Sequence, residues 1–169
     1  KEMTAAIAAV KFKTLKNKGN LNNHIGLPLT LFDLDPTHEV AVLEMGMSAA
    51  GEIRHLAEIA GPEIGIITNI SEAHLLTLKN VKSVQAAKGE LFEALSAKGT
   101  AIVNADDPLV LELSRSLRAK TLTYGIDNTA DVRAANIRPR GNEGFDFTLR
   151  MQGNEFPVSL PFLGRFNVY

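Results

Sequence analysis

A glutamate and a histidine follow two apolar segments of the chain, in positions that could bind a divalent cation. Glu44 comes directly after the apolar run at residues 40–43, so we expect it in or near the core, where a carboxylate needs a cation or strong hydrogen-bond donors. Mg²⁺ would serve because it prefers oxygen ligands. A salt bridge or the backbone N–H groups that begin the next helix would serve as well. His74 alone is typical of a capping or packing residue, but near Glu44 it becomes a candidate metal or phosphate ligand.

A helix predicted over residues 82–97 carries a lysine on the face that should be buried. At 3.6 residues per turn, Lys88 shares one face with Val84, Leu91 and Leu95. It also lies in the first turns of the predicted helix, where the helix dipole disfavours a cation. A lysine can escape burial by extending its ammonium group to solvent. Otherwise Lys88 must be paired with an anion, neutralised or chemically modified, and its spacing does not choose among these.

Polar residues also end two further segments that are predicted to be buried strands. The segment 64–70 contains Thr68 near its end, and the segment 100–107 ends with Asn104 and Asp107. Ligands of open parallel sheets bind beyond the carboxyl ends of the strands, so these groups and the glutamate of the first strand are candidates for one site. The simpler alternative is that polarity resumes wherever a strand gives way to a loop.

Such a site needs a framework of alternating strands and helices, and the hydrophobic pattern predicts one. The predicted elements are buried strands at residues 40–46, 64–70 and 100–107 and helices at residues 51–60, 82–97 and 108–117. This alternation is typical of a mostly parallel sheet flanked by helices. We therefore expect an α/β core at residues 1–118 and a small antiparallel β appendage at residues 119–163, where short apolar pieces are separated by Gly, Asn and Asp.

The composition restricts the classes of function. The chain has 169 residues, of which 45% are apolar and 22% charged, as expected for a packed soluble domain. A net charge of −1 without a basic block disfavours nucleic acid as a partner. The absence of cysteine excludes disulfides and thiolate metal sites. No apolar run approaches the roughly 20 residues that cross a membrane. The sequence starts inside a helical pattern without a cap, so we expect a piece of a longer protein.

Five segments, in order, resemble the central ATP-binding domain of the Mur ligases, the ATP-dependent amide ligases of peptidoglycan synthesis. They are KEM (1–3), KGNLNNHIGLPLTL (18–31), VLEMGMSAAGEIRHLAEIAGPEIGIITNISEAHL (42–75), AAKGELFEAL (86–95) and AIVNADDP (101–108). The resemblance implies a P-loop-type mononucleotide-binding fold and a cytoplasmic bacterial enzyme that uses ATP and Mg²⁺. Within the family, the second and third segments most resemble the ligases that join D-alanyl-D-alanine to UDP-N-acetylmuramoyl-tripeptide through an acyl phosphate.

The resemblance also implies the catalytic and metal-binding roles of three residues. Glu44 and His74 resemble the magnesium-binding glutamate and the histidine of a second metal site. Lys88 resembles a lysine that reacts with CO₂, and the resulting carbamate would place an anion where the helix pattern puts an ammonium group.

Five asparagine and aspartate residues resemble binding positions of the family. The resemblance implies that Asn22 and Asn23 lie in a loop near the UDP-linked substrate, which we call the substrate loop, and that Asn104, Asp107 and Asn167 lie near the nucleotide.

The sequence also departs from the family pattern. A phosphate loop ending in Gly-Lys-Thr or Gly-Lys-Ser is expected just before Lys1 and is absent, as are the N-terminal UDP-binding domain and the C-terminal domain. Phe166 precedes Asn167 where the family has histidine, and a further asparagine is missing. We expect this fragment itself to be inactive, and the parent enzyme to be a monomer that neither binds nucleic acid nor inserts into a membrane. The alternatives are a related amide ligase of the cyanophycin synthetase or folylpolyglutamate synthase type, or a catalytically silent folded module.

Overall fold

The computed structural model describes residues 1–72 and 75–169, with the backbone alone at residues 75 and 76. The helices of the described part are α1 (Glu2–Ala8), α2 (Gly26–Leu31), α3 (Glu52–Ala60), α4 (Leu75–Leu78), α5 (Val81–Glu93) and α6 (Pro108–Ser114). The strands are β1 (Thr14–Lys16), β2 (Val40–Val42), β3 (Ile64–Ile67), β4 (Thr100–Asn104), β5 (Lys120–Gly125), β6 (Val132–Pro139), β7 (Phe145–Met151) and β8 (Asn154–Leu160). Within these ranges no helix is both long and apolar enough to cross a membrane.

The strands form a mostly parallel α/β structure, which confirms the predicted fold class. β1 and β2 pair in parallel as a two-stranded sheet, and the other strands form a sheet in the order β3-β4-β5-β6-β7-β8. The pairs from β3 to β6 are parallel, and β6-β7-β8 is antiparallel.

The antiparallel part begins later than predicted. β5 lies within the predicted appendage, yet it pairs in parallel with β4. The connecting segment 105–119 contains α6 and is long enough to return the chain to the starting edge of the sheet, which parallel pairing requires. Antiparallel pairing is therefore confined to residues 132–160.

The chain divides into two compact units. The first unit consists of residues 1–62 and 72–94, and the second of residues 63–71 and 95–169. The first contains the β1-β2 sheet and helices α1 to α5, and the second contains the six-stranded sheet and α6. As a statement about domains, the division at residue 118 stays a prediction.

Two of the predicted buried strands are shorter and less enclosed than their apolar runs indicated. β2 has three residues, of which Ala41 is exposed and the flanking valines are half-buried. On β3, Ile64 is 60% exposed and Ile66 is 41% exposed, whereas the alternate residues are buried. A continuous apolar run predicts burial on both faces, but here only one face of β3 is covered.

The helix α3 lies where it was predicted. It ends at Gly61, which has φ 57° and donates its N–H to the carbonyl of Ala57, a left-handed cap that favours glycine. The buried face consists of Ile53, Leu56 and Ala57. Ile59, one turn further along the same apolar pattern, is 38% exposed.

The helix α5 begins one residue before the predicted start and ends four residues early. Asn80 precedes it, and its side-chain oxygen accepts the N–H of Ser83 at 2.9 Å, which is a typical N-cap. Lys88 is half-buried and lies in the middle of the helix rather than in its first turns. The argument from the helix dipole therefore does not apply to Lys88, and Leu95 lies beyond the helix.

Candidate functional site

Asn17 holds the backbone of Glu44 at the end of β2. The Asn17 side chain is fully buried, at 0% exposure. Its Oδ1 accepts the N–H of Glu44 at 3.0 Å, and its Nδ2 donates to the carbonyls of Glu44 at 3.0 Å and Leu21 at 2.9 Å. Asn17 directly follows β1, so these bonds continue the β1-β2 pairing beyond the ends of both strands. Sequence reasoning missed this residue, since nothing local distinguishes it from the other asparagines nearby.

The carboxylate of Glu44 is accessible and is oriented by two neighbours. The Glu44 side chain is 47% exposed, so the expectation that it lies in or near the core is wrong. β2 belongs to a small sheet that does not enclose its end. Asn22 donates from Nδ2 to Oε1 of Glu44 at 3.1 Å. The ammonium group of Lys1 lies 3.7 Å from Oε2 and donates to the carbonyl of Gly19 at 2.5 Å.

A second contact closes the loop at residues 17–23, which we call the asparagine loop, onto the segment after β2. The N–H of Gly46 donates to the carbonyl of Asn22 at 2.8 Å. A Cβ atom at residue 46 would lie 2.9 Å from Cγ of Asn22, so a side chain at this position would displace the Asn22 amide. Asn23 points the other way, and its Oδ1 accepts the N–H groups of Ile25 at 3.1 Å and Gly26 at 2.9 Å at the start of α2.

The N–H groups at the start of α3 are bound by Glu90, a second residue that sequence reasoning missed. Glu90 is 7% exposed. Its Oε1 accepts the N–H of Gly51 at 2.7 Å, and its Oε2 accepts the N–H of Arg54 at 3.0 Å. These are the donors that were considered as partners for Glu44. At 3.6 residues per turn, Glu90 lies about 120° around the helix from Val84, outside the face that was expected to be buried, so the hydrophobic pattern gave no signal for it.

In the second unit, the ends of β3 and β4 meet through Asn104 and Asp107. Asn104 is 7% exposed and donates from Nδ2 to the carbonyl of Thr68 at 2.8 Å. One oxygen of Asp107 accepts the N–H of Ile70 at 2.7 Å, and the other accepts two N–H groups in the first turn of α6 at 2.9 and 3.1 Å. The polar groups of these neighbouring strands thus meet, as their parallel arrangement predicts. Their partners here are backbone groups, and a role toward a nucleotide stays a prediction.

Backbone N–H donors also stabilise the ionised form of Asp106, which lies between Asn104 and Asp107 in the sequence. Its carboxylate accepts the N–H groups of residues 126–128 at 2.6 to 3.0 Å. Burial opposes ionisation, but these bonds outweigh it and lower the pKa of Asp106. Nearby, burial and then the charge of Asp107 raise the pKa of Tyr124 to about 12.

The remaining predicted residues are distributed as follows. His74 lies outside the described residues. Asn167 belongs to a short turn of 3₁₀ helix at Arg165–Val168 and donates from Nδ2 to the carbonyl of Leu163 at 2.7 Å. Phe166 is 75% exposed.

A magnesium site in a nucleotide-dependent enzyme needs few ligands from the protein. Among residues 1–72 and 75–169, no group of three or more His, Cys, Asp or Glu side chains could hold a metal. Mg²⁺ in nucleotide-dependent enzymes is often bound by only one or two carboxylates, together with phosphate oxygens and water. The accessible, oriented carboxylate of Glu44 fits that kind of site.

Comparison with known proteins decides the family. The sequence profile of the Mur ligase middle domain matches residues 1–169. The chain belongs to the Mur ligase middle-domain family. It is 38% identical over 168 residues to the UDP-N-acetylmuramoyl-tripeptide–D-alanyl-D-alanine ligase of Bacillus subtilis (strain 168), a match that covers 99% of this chain and 35% of that relative. The resemblance inferred from the sequence is thereby confirmed.

Solved structures agree with this membership. The Mur ligase middle domain described here superposes on a crystal structure of MurF from Acinetobacter baumannii with a TM-score of 0.91 and 32% identity, over 99% of this chain and 37% of that one. MurF from Thermotoga maritima in complex with ADP gives a TM-score of 0.88 and 26% identity, over 99% and 39%. The chain therefore spans little more than a third of the length of the relatives it matches.

Proposed function

We propose that the protein containing this Mur ligase middle domain joins D-alanyl-D-alanine to UDP-N-acetylmuramoyl-tripeptide in an ATP-dependent reaction. Relatives that match nearly the whole chain are named for this reaction, as UDP-N-acetylmuramoyl-tripeptide–D-alanyl-D-alanine ligases. The observation that carries the proposal is the hydrogen bond of 3.1 Å between Asn22 and Glu44. It joins a residue of the proposed substrate loop to the proposed metal ligand, although the two are 22 positions apart in the sequence.

The proposed reaction has two steps. The terminal carboxylate of the tripeptide attacks the γ-phosphorus of ATP, so that an acyl phosphate forms and ADP leaves. The amine of D-alanyl-D-alanine then attacks the acyl carbon, and the tetrahedral intermediate expels inorganic phosphate and loses a proton as the amide forms. The first step brings together two anions, so the protein must hold them close and stabilise their combined charge.

We assign Glu44 the role of binding the metal ion that stabilises this combined negative charge. Bound Mg²⁺ would neutralise the charge between the γ-phosphate and the carboxylate. Glu44 would hold one ion, His74 would belong to a second metal site, and a carbamylated Lys88 would supply a further anionic ligand. The bond from Asn22 fixes one carboxylate oxygen of Glu44, which limits the reorganisation needed when the metal binds.

The binding residues are assigned to the two substrates. Asn22 and Asn23 would contact the UDP-linked tripeptide. Because Asn104 and Asp107 bond to backbone groups, we assign them the role of holding the loops after β3 and β4 in place beside the nucleotide, with Asn167 at the adenine. We propose that the enzyme acts as a monomer in the bacterial cytoplasm, where ATP and the UDP-linked precursor are available.

The test uses the full-length protein and follows ADP, phosphate and the amide product. We expect Mg²⁺-dependent formation of one ADP, one phosphate and one UDP-linked pentapeptide per turnover, and no product with folate or aspartate chains in place of the tripeptide. Product from folate or aspartate chains would instead identify one of the related ligases, and no ATP consumption with any substrate would favour the silent module.

The substitution Glu44→Gln tests the assigned residue within the same assay. It should lower the rate at least about a hundredfold, since metal neutralisation supplies several kcal/mol to such transition states. Glu58→Gln is the matched control, because Glu58 is exposed on α3 and should retain the wild-type rate. Equal rates for Glu44→Gln and wild type would remove Glu44 from the site.

A further inference from the structure

We propose that Asn17 is a positioning residue that couples the asparagine loop to Glu44, so that substrate binding and metal binding are linked. The proposal rests on the proposed metal role of Glu44. The amide of Asn17 bonds to both backbone groups of Glu44 and, through the same nitrogen, to the carbonyl of Leu21. The residue after Leu21 is Asn22, which bonds to the carboxylate of Glu44.

The bonding capacity of Asn17 is matched to this task. Both hydrogens of its Nδ2 are donated and its Oδ1 accepts, in an environment that leaves 0% of the residue exposed. Aspartate at this position would face two carbonyl oxygens without a donor. Alanine would leave a buried N–H and two carbonyls without their partner, which is costly. Serine retains one donor and one acceptor, so it should recover part of the function.

The coupling between the asparagine loop and Glu44 runs through hydrogen bonds to backbone groups and does not depend on charge. The carbonyls of Leu21 and Glu44 share one nitrogen as their donor, so a shift of the asparagine loop is transmitted to the backbone of Glu44. Gly46 closes the other side by donating to the carbonyl of Asn22 at 2.8 Å. A substrate that orders the loop should therefore tighten the metal site, and by linkage the metal should tighten substrate binding by the same factor.

The experiment measures Mn²⁺ binding to the full-length protein by electron paramagnetic resonance, with and without UDP-N-acetylmuramoyl-tripeptide. In the wild type we expect the substrate to increase Mn²⁺ affinity. Asn17→Ala and Asn17→Asp should weaken Mn²⁺ binding about tenfold or more, the usual effect of removing a group that orients a metal ligand, and should abolish the effect of the substrate. Asn17→Ser should recover part of both. Asn142→Ala is the control, because Asn142 is an exposed asparagine outside this loop and should leave both properties unchanged.

Hydrogen–deuterium exchange of the same variants separates positioning from loss of folding. Faster exchange confined to residues 17–23 and 42–46, together with weaker Mn²⁺ binding, supports the proposal. Wild-type Mn²⁺ affinity in a folded Asn17→Ala or Asn17→Ser variant overturns it. If Asn17→Ala unfolds globally, the serine variant decides.

These results are independent of the ligase assay. If the wild type forms no amide but the Asn17 variants bind Mn²⁺ more weakly than the wild type does, the proposed reaction is rejected and the positioning role is retained. A wild-type protein that binds no Mn²⁺ would overturn both.

Discussion

At the scale of single residues, the buried polar side chains of this domain mainly hold backbone groups. Asn17, Glu90 and Asn104 are each at most 7% exposed, and each bonds to backbone N–H or C=O groups distant in sequence. Throughout the described residues, no buried side-chain nitrogen or oxygen lacks a hydrogen-bond partner. Since unpaired buried polar groups are costly, each such bond specifies where one loop lies against its neighbour.

Lys88 offers a test at the same scale. If it acts as a carbamate, Lys88→Ala should lower the rate of the full-length protein at least about tenfold, as expected when an oriented metal-site group is removed. Added acetate should restore part of the rate, because its carboxylate can occupy the place of the carbamate. Phosphate release with and without acetate measures this.

Lys88→Arg is the control for charge, since arginine stays cationic and cannot form the carbamate; we expect a low rate that acetate does not restore. Full activity of Lys88→Ala, or a low rate that acetate leaves unchanged, would contradict the carbamate.

At the scale of elements, the first unit is organised by the contact between α5 and α3. The carboxylate of Glu90 binds the N–H groups that begin α3, where a negative charge is favoured by the unsatisfied donors and the helix dipole. Lys88 lies on the same helix as Glu90, and the segment after Glu44 leads into α3. The Glu90 bonds therefore connect α5, which contains Lys88, to the segment that follows Glu44.

Glu90 and Glu93 form a matched pair of substitutions. Glu90→Gln should destabilise the start of α3 by about 1–3 kcal/mol, because the amide keeps one acceptor oxygen for the two N–H donors and turns its NH₂ group toward the other. Glu93→Gln should change little, since Glu93 is 59% exposed and pairs with Arg54 at the surface at 2.8 Å. Hydrogen–deuterium exchange of the amides of residues 51–55 in the full-length protein reports both.

Faster exchange in the Glu90 variant alone is the expected outcome. Equal exchange in the two variants would show that the contact between these helices does not depend on the Glu90 carboxylate.

At the scale of the whole molecule, the two compact units are discontinuous in sequence. The first unit returns at residues 72–94 after the second has begun with residues 63–71. The first contains the proposed metal ligand and substrate loop, and the second contains the residues proposed to lie beside the nucleotide. Since the chain spans little more than a third of the length of its relatives, the proposed reaction belongs to the full-length protein.

A comparison of the 169-residue chain with the full-length protein tests this. The printed sequence has no Gly-Lys-Thr or Gly-Lys-Ser, and such a loop supplies the backbone N–H groups and the lysine that hold the β- and γ-phosphates. We expect the chain alone to bind ATP weakly and to show no turnover, whereas the full-length protein forms product. ATP binding by calorimetry and phosphate release measure the two properties.

Magnesium-dependent ATP hydrolysis by the isolated chain at the full-length rate would contradict this expectation. It would show that the described residues are sufficient to hold the phosphates.

The sequence by itself determined the features that depend on local pattern. The alternation of apolar segments predicted the mostly parallel sheet, and the helix predicted at residues 51–60 matches α3 to within one residue. The polar ends of β3 and β4 were predicted to meet, because neighbouring parallel strands end at one edge of a sheet. The family resemblance came from motifs that need no tertiary information.

Only the tertiary structure decided which of the polar residues were buried and what they bound. Glu44 is half-exposed rather than in the core, Lys88 is half-buried in the middle of its helix, and the buried charge of α5 is Glu90. Asn17 and Glu90 bind backbone groups 27 and 39 positions away. Contacts of that range depend on how the elements pack, and a local hydrophobic pattern contains no information about the partner that a polar side chain meets across the fold.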